Sequence, residues 1–184
     1  MAYVRTRPVL AAALITLLGS QAPAGAQAEG TWLCRVRFED QTSGGDTLRS
    51  TGAIELTNAA PQLDGSAIYM GRGPVDIVFT PARGCQATSG GTARVTMMAI
   101  VTTEDGETAE VDIAPAAEDS FPVDVRCGPN RSHMEVGVSA PPMVTLPLSD
   151  GASAAYSESS RSSFGSRGGQ SGTVSLEFCR PEAG

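Results

Sequence analysis

Ala93–Pro115 reads ARVTMMAIVTTEDGETAEVDIAP, and its spacing decides the fold class. In an extended chain Val95, Met97, Ala99 and Val101 share one face, and Met98 and Ile100 share the other. After Glu104-Asp105-Gly106-Glu107, Ala109, Val111 and Ile113 alternate with Glu110 and Asp112. An Asp-Gly pair supplies the positive φ angles of a tight turn, so the two runs form an antiparallel hairpin. The first run is apolar on both faces, which predicts a central strand covered on both sides. The second buries one face only.

The same period of two extends in both directions. Trp32, Cys34, Val36 and Phe38 alternate with Leu33, Arg35, Arg37 and Glu39, with Trp32 read as a core anchor. A second strand, near Leu48 to Thr57, turns Ile54 and Leu56 inward and Arg49 and Glu55 outward. A short third strand holds Ile68 and Met70, Gly71-Arg72-Gly73 reads as a turn, and Val75, Ile77 and Phe79 line a fourth strand. Downstream inner faces are Phe121, Val123, Val125 and Cys127; then Met134, Val136 and Val138; then Val144, Leu146 and Leu148; and last Val174, Leu176 and Phe178. Pro142 and Pro147 place the strand around Val144 at a sheet edge, where a missing N–H does no harm. Helical periodicity is absent. About ten short strands separated by turn signals predict an all-β domain, an antiparallel β-sandwich, with a closed β-barrel as the alternative.

Ser149 to Gly172 (SDGASAAYSESSRSSFGSRGGQSG) lacks this rhythm and reads as a long surface loop at 149–172. Its large apolar residues are Tyr156 and Phe164 and its basic ones Arg161 and Arg167. Aromatic and arginine side chains are favoured at recognition surfaces, so these four are the candidate interaction residues; the competing reading, ranked above it, folds both rings back on the sandwich and leaves the rest of the stretch solvated.

The N-terminus carries a secretory signal: Arg5 and Arg7, the apolar run Val9 to Leu18, and Ala26-Gln27-Ala28 as the cleavage motif. The expected cut lies between Ala28 and Glu29, leaving residues 29–184 as one domain. The apolar run is about half the ~20 residues of a spanning helix, so no membrane insertion is expected after cleavage. All 13 basic residues are arginine, as expected of a GC-rich bacterial genome. Two of them leave with the signal, so 11 stand against 20 acidic residues, a balance of −9. That charge excludes nucleic acid as an expected partner.

Cys34, Cys85, Cys127 and Cys179 are an even set in an exported chain and predict two disulfides. No Cys-x-x-Cys pair is present for zinc. Pairing in order of emergence favours Cys34–Cys85 with Cys127–Cys179, and Cys34–Cys179 with Cys85–Cys127 is the second choice. Bridges between two sheets would suit the sandwich.

No cofactor, metal or catalytic motif stands out. His133 is the one histidine, lies out of phase with Met134 and Val136, and is expected at the surface. Its neighbour Ser132 points to the opposite face, which precludes a catalytic pair between them. Gly30-Thr31-Trp32 resembles the opening of lipocalin-like ligand-binding barrels. The resemblance covers three residues and implies a small-molecule carrier with an apolar cavity near Trp32. The aromatic-rich second motif of such barrels is absent, and aromatics make up only 5% of the chain. The resulting expectation is an exported, periplasmic or secreted binding or structural β-domain without catalysis, its partner an unidentified protein or small molecule. The alternatives are the carrier barrel and a hydrolase.

Overall fold

The computed structural model describes residues 31–61, 66–116, 120–161 and 167–180. These form twelve strands: β1 (Trp32–Ser43), β2 (Thr47–Glu55), β3 (Thr57–Pro61), β4 (Ala67–Thr80), β5 (Cys85–Ser89), β6 (Thr92–Thr103), β7 (Thr108–Pro115), β8 (Ser120–Cys127), β9 (Asn130–Gly137), β10 (Val144–Pro147), β11 (Ser153–Arg161) and β12 (Arg167–Cys179). The expected signal and its cut between Ala28 and Glu29 lie outside the described residues.

The strands pair antiparallel in two sheets. The larger has the order β10-β7-β6-β4-β2-β1-β12-β11, with β3 also pairing β4. β10 runs through a short turn into β11, so the ends of this path come together and the sheet is nearly closed, like a barrel. The smaller sheet has the order β5-β8-β9. Phe121, Val123 and Val125 of β8 join the same hydrophobic cluster as Val36, Ile54, Met97 and Leu176 of the large sheet, so the sheets share one core. Each buried side chain of this size contributes about 1.5–3 kcal/mol.

The opening hairpin forms as its sequence dictates. β6 and β7 pair with Val101 opposite Val111, and Gly106 takes φ 70° in the turn. The Asp105 carboxylate accepts from the backbone N–H of Glu107 and Thr108 and holds the turn shut. β6 is central, between β4 and β7. It is not covered on both sides, however: Met98 and Ile100 remain partly exposed beside the exposed Met70. The second sheet packs into the inner core instead.

Four other expectations are corrected. Trp32 is 47% exposed, because Leu33 takes the interior position and a register shift between Leu33 and Arg35 resets the phase. The expected third and fourth strands are one strand, and Gly71-Arg72-Gly73 lies within it. A Cβ on Gly71 would collide with the Glu55 carbonyl oxygen, so glycine serves close strand approach rather than a turn. The 149–172 stretch is not a loop: most of it is β11 and the first half of β12, which pair from Ser153–Ser175 to Arg161–Arg167. Small side chains replace apolar alternation there because the strands pack tightly; a Cβ on Gly172 would collide with the Glu39 carbonyl oxygen.

The disulfides are Cys34–Cys179 and Cys85–Cys127, the second choice from sequence. A bridge needs Cα atoms within about 7 Å, so spatial neighbours and not order of emergence decide the pairing. β1 lies beside β12, and Cys85 stands directly opposite Cys127 on β5 and β8. Both bridges therefore link neighbouring strands of one sheet rather than two sheets.

Candidate interaction surface on the three-stranded sheet

The turn Gly128-Pro129 fixes how β8 meets β9. Gly128 adopts φ 60°, the kind of positive angle a two-residue hairpin turn needs. The resulting register places Cys127 opposite Asn130, Arg126 opposite Arg131 and Asp124 opposite His133. Val123 and Val125 point into the core, so Asp124 and Arg126 must point away from it.

Asp124 is the hub of this outer face, its side chain 20% exposed. Its Oδ2 accepts from the Ser89 hydroxyl at 2.6 Å and from Arg131 at 2.9 Å, and its Oδ1 meets His133 Nδ1 at 2.9 Å. Hydrogen bonds from Ser89, then His133, then Arg131 hold the carboxyl well below the usual carboxylate range. Beside it Thr88, Arg126, Pro129 and Arg131 line a groove of about 270 Å³. Arginine pairs planar anions bidentately, so this corner of an acidic protein suits a carboxylate or another oxyanion.

His133 lies at the surface as expected, its side chain 64% exposed, yet it has a carboxylate partner that the sequence reading did not assign. A hydroxyl, a carboxylate and an imidazole do meet here. Their order differs from a hydrolytic triad, because Ser89 donates to Asp124 and not to the imidazole. A serine nucleophile needs its proton taken by the histidine. Among the described residues, no cluster of three or more His, Cys, Asp or Glu side chains could hold a metal ion.

β9 itself is open. It is an edge strand, and its residues from Asn130 to Glu135 are all exposed. Met134, expected on an inner face, is 37% exposed because β9 overhangs the core that β8 covers.

The residues expected to form an interaction loop go elsewhere. Tyr156 lies on the inward side of β11, partly buried, and donates its hydroxyl to Asp40 Oδ1 at 2.6 Å. Arg161 and Arg167 are backbone partners at the end of the β11–β12 hairpin, and Phe164 lies outside the described residues.

Asp40 was also missed, and it organises a second polar centre. It is 1% exposed on the inner side of β1. Gln170 Nε2 donates to Asp40 Oδ1 at 2.9 Å and to the Ala140 carbonyl at 2.6 Å. The Ser50 hydroxyl donates to the Ser139 carbonyl at 3.2 Å. These bonds pin the segment that carries the chain from β9 in the small sheet to β10 in the large one. Counting backwards from the Gly128-Pro129 turn would have paired Asp124 with His133. Nothing in the local pattern marks Asp40 beyond its phase with Val36 and Phe38.

Comparison with known proteins gives no relative: no family model, curated protein or solved structure matches this chain.

Proposed function

We propose that the chain is an exported, non-catalytic binding module of the periplasm or extracellular space, and that the three-stranded sheet is its contact surface. The observation that carries this reading is β9, exposed along its length and unpaired on its outer edge among the described residues. It is nevertheless held at both ends. The Cys85–Cys127 bridge braces its start through β8, and the pinned 139–140 segment braces its end. A strand ordered in advance loses less entropy on binding. Export is supported by the Ala26-Gln27-Ala28 motif and by two disulfides, which persist in oxidising compartments. No described helix is long and apolar enough to cross a membrane. The hydroxyl–carboxylate–imidazole order at Asp124 supports binding over hydrolysis.

Two measurements test this. Intact mass of the extracytoplasmic protein is expected to show a chain starting at Glu29; retention of residues 1–28 would refute export by this signal. Wild type and a variant with Arg126→Ala, Arg131→Ala and Glu135→Ala are then used as baits in extracytoplasmic extract. Capture lost in the variant supports the sheet as contact surface, and equal capture by both refutes it.

A further inference from the structure

We infer that β9 pairs with β9 of a second copy of this chain, antiparallel across a twofold axis at His133, to give a continuous six-stranded sheet. The inference rests on reading the three-stranded sheet as the contact surface, and it names the occupant.

An edge strand presents a row of unpaired N–H and C=O groups that another strand can complete. Proteins blunt such edges with bulges, prolines, short lengths or charged side chains, the last opposing self-pairing only in registers that set like charges against each other. Two of the other edges carry such devices: β5 has five residues and a register shift, and β10 has four and ends in Pro147. β9 has eight residues, no proline and an unbroken register with β8.

Its sequence is complementary to itself. Residues opposite each other in an antiparallel pair point to the same side, so pairing about His133 sets Arg131 against the second copy's Glu135, and Glu135 against its Arg131. Both belong to the outer face with His133. Glu135 accepts one hydrogen bond from Ser120 and forms no ion pair with any described residue, so its charge is available to an incoming arginine. On the inner side the same register sets Met134 against Ser132 and Val136 against Asn130, narrowing the exposure of the overhanging apolar residues. The two imidazoles meet at the axis, each bonded to its own Asp124. The one other long edge, β11, lacks this match: about its central Ser157, Glu158 would face Tyr156. Opposite charges directly across a strand pair are favourable and like charges unfavourable.

The test is sedimentation equilibrium of the oxidised protein with charge-reversal variants. The wild type is expected to dimerise. Glu135→Arg and Arg131→Glu are each expected to raise the dimer dissociation constant at least tenfold, and the double variant to recover it to within about threefold. Backbone amides of residues 130–137 should gain hydrogen-exchange protection as wild-type concentration rises, a readout independent of any variant's folding. A monomer at all concentrations would overturn the inference while leaving the sheet open to a different partner. A dimer indifferent to the reversals would place self-association on another face and overturn it. Loss in the single variants without recovery in the double would overturn the register.

Discussion

Replacing Tyr156 with phenylalanine removes one hydroxyl and should cost far more than a change in a Ser- and Gly-rich stretch suggests. The hydroxyl donates at 2.6 Å to Asp40, a residue 1% exposed whose Oδ2 has no partner among the described residues. A hydrogen bond to a charged group contributes about 1.5–3 kcal/mol, and a buried group that loses its partner carries the full desolvation cost. With Gln170 left as the one side-chain donor to Asp40 among the described residues, the expected loss is about 2–3 kcal/mol. For a domain of this size each kcal/mol shifts the melting temperature by about 2–4 °C, so a fall of about 4–12 °C is expected. Urea unfolding should show a lower midpoint with an unchanged m-value. In the Asp40→Asn background the same substitution should cost much less, because the charge that makes the bond strong is gone. The pH dependence adds a second signature. Burial, then the bond and charge of Asp40, raise the Tyr156 phenol well above the ordinary tyrosine value. A raised folded-state pKa contributes stability that is complete below the unfolded value of about 10 and is lost as pH rises beyond it. The phenylalanine variant should lack that alkaline loss. Tyr69, also raised by burial, is present in both proteins, so their difference isolates Tyr156. A cost below about 0.5 kcal/mol, typical of surface substitutions, would refute the reasoning.

Digestion of the unreduced protein should yield Cys34–Cys179 and Cys85–Cys127 peptides, and recovery of Cys34–Cys85 would contradict the strand order. In the chain-entropy model, loss of the first bridge, closing 145 residues, should cost about 5 kcal/mol, and loss of the second, closing 42, about 4. Asp124, its pKa lowered by Ser89, His133 and Arg131, contributes stability present above the unfolded carboxyl value of about 4 and lost as pH falls below it. Asp124→Asn should therefore flatten the acid limb of a melting-temperature profile, and an unchanged limb would show that these bonds do not persist in solution. Gly71→Ala should destabilise by about 1–3 kcal/mol or more, since its Cβ meets the Glu55 backbone rather than a movable side chain; a neutral result by thermal melting would argue against the close approach of β4 to β2.

Where burial is one-sided and apolar, the fold was legible. The β6–β7 hairpin follows from its alternation and its Asp-Gly turn, and Pro147 does mark an edge strand. Legibility failed where backbone proximity replaces side-chain burial. β12 is interior to the sheet, yet Gly169 and Gly172 lie in its first half, because a neighbouring strand leaves no room for a Cβ at 172 and only a tight fit at 169. Gly71 misled in the same way, as a turn signal inside a strand. The disulfide pairing required knowing that the first and last strands are neighbours, a long-range fact that spacing does not encode. The Asp124 centre was within reach, because the Gly128-Pro129 turn fixes the pairing of its residues. The Asp40 centre was not: an aspartate in phase with Val36 and Phe38 reads as the end of a buried face until its partners 116 and 130 residues away are known.

The position of that second centre bears on how the surface is presented. An apolar contact between β1 and the β11–β12 hairpin would avoid the desolvation cost of a buried carboxylate. It would also be indifferent to which residues of the crossing segment lie against it. Hydrogen bonds are directional, and Gln170 selects Ser139 and Ala140 while Ser50 selects the Ser139 carbonyl. Ser139 lies two residues beyond the end of β9, so the bonds that select it also set where that strand leaves the small sheet. The start of β9 is set by the Gly128-Pro129 turn and by the bridge at Cys127, which stands opposite Asn130. Between these anchors the strand has β8 on one side and solvent on the other. Its open edge is therefore a placed element of the fold rather than a frayed one, and the buried Asp40 is part of what places it.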